Sequence, residues 1–193
     1  MKLYMVRHGQ SETNLAKKFT GWSQVNLTEQ GIQDAKRAGE YLKGLTFDRI
    51  YSSDLIRAVQ TAQYAIPGCE PVQLPLLREI GLGFLEMRPI EDCIAEYGEA
   101  FVNHRREYNF VPYGGENQDM MEARVRQFLQ MLENDPCEQA VVFAHAGTLQ
   151  TALDIVLGKR LDRSHLRCSN GSVAVFIYEG GRWLLRTWGG AIE

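Results

Sequence analysis

Apolar, β-branched runs alternate along this 193-residue chain with stretches of helical periodicity, and no other feature restricts the fold as strongly. Lys2 to Arg7 is short, apolar and suited to a pleated surface, which predicts a strand. A helix follows, with Thr28 as N-cap and Ile32, Ala35, Leu42 and Leu45 on one face. Asp48 to Ser52 predicts a second strand. Ser53 and Asp54 offer caps for a helix reaching Ile66, where Pro67-Gly68 stops it, and Pro71 to Leu77 reads as a short extended piece. Later, Glu116 to Glu133 predicts a helix, Gln139 to Ala144 a buried strand, and Thr148 to Leu157 a helix ended by Gly158. Ser172 to Tyr178 and Arg182 to Trp188 predict two strands joined by a tight turn at Glu179-Gly180-Gly181. The alternation implies a three-layer α/β/α sandwich around a mostly parallel sheet, and the closing hairpin demands an antiparallel strand.

The length suits one domain, expected to span residues 1–193. Residues 81–117 interrupt the regular pattern with Gly81, Gly83, Pro89, Gly98, Pro112, Gly114 and Gly115 among aromatics. A segment of this kind is expected to be a small cap that sets specificity over the active site, with one or two short helices.

A net charge of −3 gives no overall basic surface, so nucleic acid is not an expected partner. The longest apolar runs are far shorter than a bilayer is thick, and Arg7 and His8 interrupt the N-terminal one, so neither a span nor a signal peptide is expected. A cytoplasmic location is expected. Cys69, Cys93, Cys137 and Cys168 lack any paired spacing and read as free thiols. The four histidines show no ligand spacing either, so no metal and no cofactor is expected.

Three strand-to-loop junctions carry the chemistry. They are Val6-Arg7-His8-Gly9, Ser52-Ser53-Asp54-Leu55-Ile56-Arg57 and Ala144-His145-Ala146-Gly147. In an open α/β sheet, ligands bind beyond the carboxyl ends of the strands. A parallel sheet would bring Arg7, Arg57, His8 and His145 to one edge, where two arginine forks and a helix N-terminus after His145 suit a small multivalent anion such as phosphate. A neutral imidazole is nucleophilic near pH 7 and can attack phosphorus while the arginines balance charge. The leaving oxygen then needs a proton, for which Glu79 is the best candidate, with Glu86, Glu91 and Glu12 as rivals. His104 and His165 read as ordinary core or surface residues. Arg105-Arg106 reads first as a charged surface pair, and second as a contact for a substrate carboxylate or second phosphate.

The stretch Arg7-His8-Gly9-Gln10-Ser11-Glu12-Thr13-Asn14 resembles the motif of the histidine phosphatase superfamily, also called the phosphoglycerate mutase-like family. The resemblance continues, in the family's order, through Phe19-Thr20-Gly21-Trp22, Leu27-Thr28-Glu29-Gln30-Gly31, Ser52 to Ala58, Leu77-Arg78-Glu79, Gly114-Gly115-Glu116 and the His145 junction. It implies an α/β domain with a small cap and no metal. It also implies His8 as nucleophile, Arg7, Arg57 and His145 as the phosphate pocket, and Glu79 as proton donor. Asn14, Thr20, Gly21 and the Ala146 N–H would be further substrate contacts. Two places depart from the family's pattern: Ala146-Gly147 after the second histidine, and Gly83 to Arg88 where many family phosphatases carry Trp-Glu-Gly.

The expected activity is that of an acid-type histidine phosphatase, hydrolysing a small phosphorylated metabolite through phosphohistidine. A bisphosphoglycerate-dependent mutase is the first alternative: Phe19 to Trp22 and Arg105-Arg106 with Tyr108 and Pro112 resemble mutase segments, but family mutases are longer, with a larger cap and a tail that excludes water. A non-catalytic module binding a phosphorylated ligand is the second. The partner expected is that metabolite, with a homodimer admissible and no membrane.

Overall fold

The computed structural model describes residues 1–163 and 166–190. Six strands form one sheet: β1 (Lys2–Arg7), β2 (Arg49–Ser52), β3 (Val72–Gln73), β4 (Gln139–Ala144), β5 (Val173–Glu179) and β6 (Arg182–Gly190). Their order is β3-β2-β4-β1-β5-β6. β3, β2, β4 and β1 run parallel, and β5 is antiparallel to both β1 and β6. The helices are α1 (Glu12–Leu15), α2 (Glu29–Leu42), α3 (Ile56–Ala65), α4 (Ile90–Arg106), α5 (Gln118–Glu133) and α6 (Ala146–Leu157).

Alternation along β1 and β4 builds the layers, because successive side chains of a strand point to opposite faces. Tyr4, Val6, Val141 and Phe143 pack with Ala38, Leu42, Ala62 and Ala65 of α2 and α3. Leu3, Met5, Ala140 and Val142 pack on the other face with Val125, Phe128 and Leu132 of α5 and Leu149 of α6. The α/β/α sandwich with a mostly parallel sheet and an antiparallel strand is the architecture the alternation implied.

Local chemistry explains most boundaries. Thr28 caps α2 by accepting from the Gly31 N–H, as expected. The expected caps of α3 do not act: Leu55 occupies the N-cap, Asp54 pairs with Arg78, and the Ile56 N–H donates to Gln24 Oε1 at 2.8 Å. That partner lies 32 residues upstream, beyond the reach of local pattern. α6 begins at Ala146, two residues earlier than the periodicity suggested, which makes His145 its N-cap. Residues 81–117 contain two short helical segments that meet at a kink at Gly98, together designated α4, and two short 3-10 turns, Gly83–Leu85 and Val111–Tyr113.

Candidate active site

Register brings the motifs together. Arg7 pairs with Ala144 and Ser52 with Phe143, so β1, β4 and β2 end side by side. The ladder continues one step past the strands: the His8 N–H donates to the Ala144 carbonyl and the Ser53 N–H to the Phe143 carbonyl, each at 2.9 Å. His8, His145 and the start of α3 therefore share one edge.

His8 is 4% exposed, and its Nδ1 lies 2.6 Å from the Gly9 carbonyl oxygen. A carbonyl only accepts, so Nδ1 carries the proton. Nε2 keeps its lone pair and accepts from Arg57 Nε at 3.4 Å. Burial, then the Arg57 and Arg7 charges, hold the His8 pKa well below its usual 6.5, opposed only by the Gly9 bond. The ring is therefore neutral at pH 7 in the tautomer that leaves Nε2 nucleophilic.

Arg57 is 1% exposed, and its two Nη atoms donate to the carbonyls of Gly21 at 2.9 Å and Ser23 at 3.0 Å. Burial brings its pKa down to about 10, which still leaves it charged at neutral pH. Arg7 donates through Nη1 to the Cys168 carbonyl. His145 is fully buried, with its ring centroid 5.1 Å from that of His8. Burial, then the Arg57 charge, push its pKa well below 6.5. Neither His145 ring nitrogen, nor Arg7 Nε, has a partner among the described residues. Buried polar groups are nearly always paired, so three such nitrogens on the residues flanking one nucleophilic ring mark a place for a polar ligand.

Glu79 follows the 3-10 turn Pro75–Leu77. Its Oε2 accepts from the Gly147 N–H in the first turn of α6 at 3.2 Å, and its Oε1 accepts from the Ile80 N–H at 2.9 Å. Arg124 holds this loop, donating to the carbonyls of Arg78 at 2.6 Å and Glu79 at 3.0 Å while pairing with the buried Glu116 at 3.0 Å. Trp22 Nε1 adds a bond to the Glu79 carbonyl at 2.7 Å.

A cavity of about 390 Å³ opens here, lined by Arg7, His8, Asn14, Lys18, Phe19, Thr20, Gly21, Arg57, Glu79, Ile80, Leu82, Arg105, Tyr108 and Phe110. Of the four carboxylates weighed from sequence, Glu79 alone is on this wall. Glu86 instead accepts from the Trp22 N–H, the Ser23 hydroxyl and the Leu82 N–H; Glu91 lines an adjoining cleft; Glu12 is exposed. Thr20 is bonded to the Thr13 hydroxyl at 2.6 Å, and Gly21 presents its carbonyl to Arg57. Arg105 reaches the wall over the Phe19 ring, but Arg106 is exposed and bonded to Asn103, outside the lining. Ala146 and His145 are not among the lining residues; they form the first turn and cap of α6, with the His145 ring against that of His8. His104 contacts the Tyr113 hydroxyl at 3.2 Å, away from the cavity, and His165 falls outside the described residues.

Sequence reasoning missed Lys18 and passed over what Tyr108 does. Lys18 lines both the cavity and an adjoining cleft of about 310 Å³ that also touches Arg7, Asn14, Lys17 and Glu91. Tyr108 has φ 53°, a left-handed conformation that non-glycine residues seldom adopt, and carries the Arg163 guanidinium 4.2 Å above its ring. No pattern of spacing announces either role. Among the described residues, no group of three or more histidine, cysteine, aspartate or glutamate side chains is placed to hold a metal ion.

A mostly parallel α/β sheet with a neutral histidine, two arginines and a second buried histidine at its carboxyl edge defines a class of phosphate-handling enzymes. The chain belongs to the histidine phosphatase superfamily (branch 1), whose sequence profile matches residues 3–190. It is 36% identical over 190 residues to the 2,3-bisphosphoglycerate-dependent phosphoglycerate mutase of Azorhizobium caulinodans, covering 93% of this chain and 92% of that one. Phosphoglycerate mutase 1 of Lactobacillus johnsonii, also 2,3-bisphosphoglycerate-dependent, is 41% identical over 119 residues, and that match spans about half of the relative, 52% of its length. Among solved structures, the mycobacterial glucosyl-3-phosphoglycerate phosphatase complexed with VO3 superposes with a TM-score of 0.86 at 26% identity, covering 98% of this chain and 99% of that one.

Proposed function

We propose that this enzyme is a phosphomonoesterase that works through phosphohistidine on His8. The observation that carries the reading is the set of unpartnered buried nitrogens of Arg7 and His145 beside a neutral His8 whose unprotonated Nε2 meets only Arg57 Nε, at 3.4 Å. The phosphoryl oxygens take the Arg7 Nε–H, the single N–H of neutral His145 and the Arg57 guanidinium. Nε2 forms a bond to phosphorus as the ester P–O bond breaks, and Glu79 delivers a proton to the departing oxygen. Water then attacks the phosphohistidine, the P–Nε2 bond breaks, and Glu79 takes up the proton that water releases. The cleft meeting the cavity at Arg7, Asn14 and Lys18 gives water a second approach, which favours hydrolysis over retention of an intermediate.

A mutase is the second reading, favoured by the Azorhizobium relative and by two cations on the wall, Lys18 and Arg105, beyond those a single phosphoryl group engages. A carboxylate beside the phosphoester would answer them. The test uses para-nitrophenyl phosphate, and 3-phosphoglycerate with bisphosphate primer, while His8 phosphorylation is followed by alkaline mass spectrometry. The phosphatase reading expects phosphate release and a labelled His8, both lost in His8→Ala. Isomer exchange without phosphate release assigns the mutase, and turnover by folded His8→Ala overturns the phosphohistidine route.

A further inference from the structure

We propose that Thr61 is a positioning residue whose single hydroxyl holds the nucleophile's loop against the helix that carries Arg57. The inference rests on His8 as the nucleophile. Thr61 lies in α3, fully buried. Its Oγ1 donates to the Arg57 carbonyl at 2.6 Å, an ordinary back-bond one turn along a helix. The same oxygen accepts the Gly9 N–H at 3.1 Å, across 52 residues of sequence. That second bond has no helical purpose. It anchors the His8–Gly9 peptide, whose own carbonyl accepts from Asn170 Nδ2 at 2.9 Å, while the Gly9 carbonyl that takes the His8 Nδ1 proton belongs to the following peptide.

The anchor sits within a tight fit. A Cβ on Gly9 would lie 2.1 Å from the Gly31 carbonyl oxygen, so α2 blocks the loop on that side. The next N–H, that of Gln10, is held by the buried Asp34 at 2.9 Å. Both N–H groups that follow the nucleophile are thus tied to the scaffold. Thr61 fixes Gly9 from its N–H side and Asp34 from its carbonyl side, and the Gly9 carbonyl held between them keeps the proton on Nδ1 and the lone pair on Nε2. Valine has nearly the same shape but accepts nothing. In Thr61→Val the Gly9 N–H is buried without a partner, Gly9 loses one of its two anchors, and a shift of the residue carries its carbonyl away from Nδ1, which admits the Nε2-protonated tautomer that cannot attack.

The experiment compares wild type, Thr61→Ser, Thr61→Val and Thr61→Cys as full-length proteins of verified fold. It reads single-turnover phosphorylation of His8 by para-nitrophenyl phosphate, steady-state kcat and KM, and the His8 tautomer by long-range 1H–15N correlation. Misplacing a reacting group by an ångström can cost about 10²-fold, so valine is expected to slow phosphorylation by roughly 10- to 100-fold with KM little changed. Its ring should show mixed tautomers, while serine restores both rate and the Nδ1–H form. Cysteine, a weak acceptor of similar bulk, should fall between them and decides the matter if valine does not fold. Wild-type phosphorylation in the valine or cysteine protein, or an unchanged tautomer there, overturns the proposal. Absence of phosphohistidine in wild type instead overturns the catalytic reading, and the tautomer comparison still judges Thr61.

Discussion

Gly147→Ala should separate catalysis from stability. Gly147 is the second residue of α6, and a Cβ there would sit 2.1 Å from Glu79 Oε1 and 3.1 Å from the Met121 methyl. The carboxylate is the free end of a flexible side chain, so it moves rather than the helix. Reaching an ordinary 3.4 Å contact takes a retreat of about 1.3 Å, which also breaks the 3.2 Å bond from the Gly147 N–H. Alanine in a helix gains up to about 1 kcal/mol over glycine, and the lost hydrogen bond costs about 0.5–1.5 kcal/mol, so net stability should shift by no more than about 1 kcal/mol. Catalysis should suffer far more. General acid help is typically worth about 10²–10⁴-fold, and ångström displacements cost about 10². The expected loss in kcat/KM is roughly 10²-fold, or about 2.7 kcal/mol, for an alkyl phosphate whose alkoxide needs the proton. The loss for para-nitrophenyl phosphate should be clearly smaller, since its phenolate leaves with less help. Steady-state kinetics on both esters, beside a melting curve and the same pair of assays on Glu79→Gln, make the measurement. Equal losses on the two esters would mean that the methyl obstructs binding and that Glu79 is no acid; full activity on both would mean that its placement is irrelevant.

Other outcomes follow from the same geometry. EDTA should leave turnover unchanged and vanadate should inhibit; loss on chelation restored by a divalent metal would refute the mechanism. Both buried histidines have folded pKa values below 6.5, so the unfolded chain binds more protons as pH falls beneath that value. Stability should therefore decline below about pH 6.5 and flatten above it, with a shallower acid slope in His145→Gln, read by denaturant unfolding between pH 4.5 and 8. Arg57→Lys should lose both activity and stability despite keeping the charge, because an ammonium cannot bond Gly21, Ser23 and His8 together; wild-type kcat/KM in that protein would show that the fork is dispensable.

Much of this site could be read from strand ends. A strand that stops at Arg7, another that stops at Ala144, and the rule that ligands gather at carboxyl edges place His8 near His145 without any coordinates. Arg57 was legible for the same reason, one helical turn past Ser52-Ser53. What stayed hidden depends on partners distant in sequence. Gln24 caps α3, Thr61 bonds Gly9, and Arg124 holds the Glu79 loop, and none of these pairs leaves a periodic trace. Within 81–117 the glycines punctuate as expected: Gly98, at φ 63° and ψ −148°, divides α4 into two short helical segments. Arg105 and Arg106 illustrate the remaining limit. Adjacent residues on a helix point about 100° apart, so only one of an identical pair faces the cavity, and the choice is made by packing against Phe19.

Glu86 bears on how such an enzyme can be re-engineered. Its carboxylate grips the backbone and hydroxyl of residues 22 and 23, whose neighbouring carbonyls at Gly21 and Ser23 hold the Arg57 guanidinium. A Cβ on Gly21 would fall 2.3 Å from that same carboxylate, so the two positions are matched to each other. A chimera that grafts a relative's 83–111 segment onto this scaffold therefore transplants one end of a linkage whose other end stays behind. Exchange of that segment should succeed when residues 21–23 travel with it, and library designs that vary the two stretches independently will sample mostly pairs that leave Arg57 untethered.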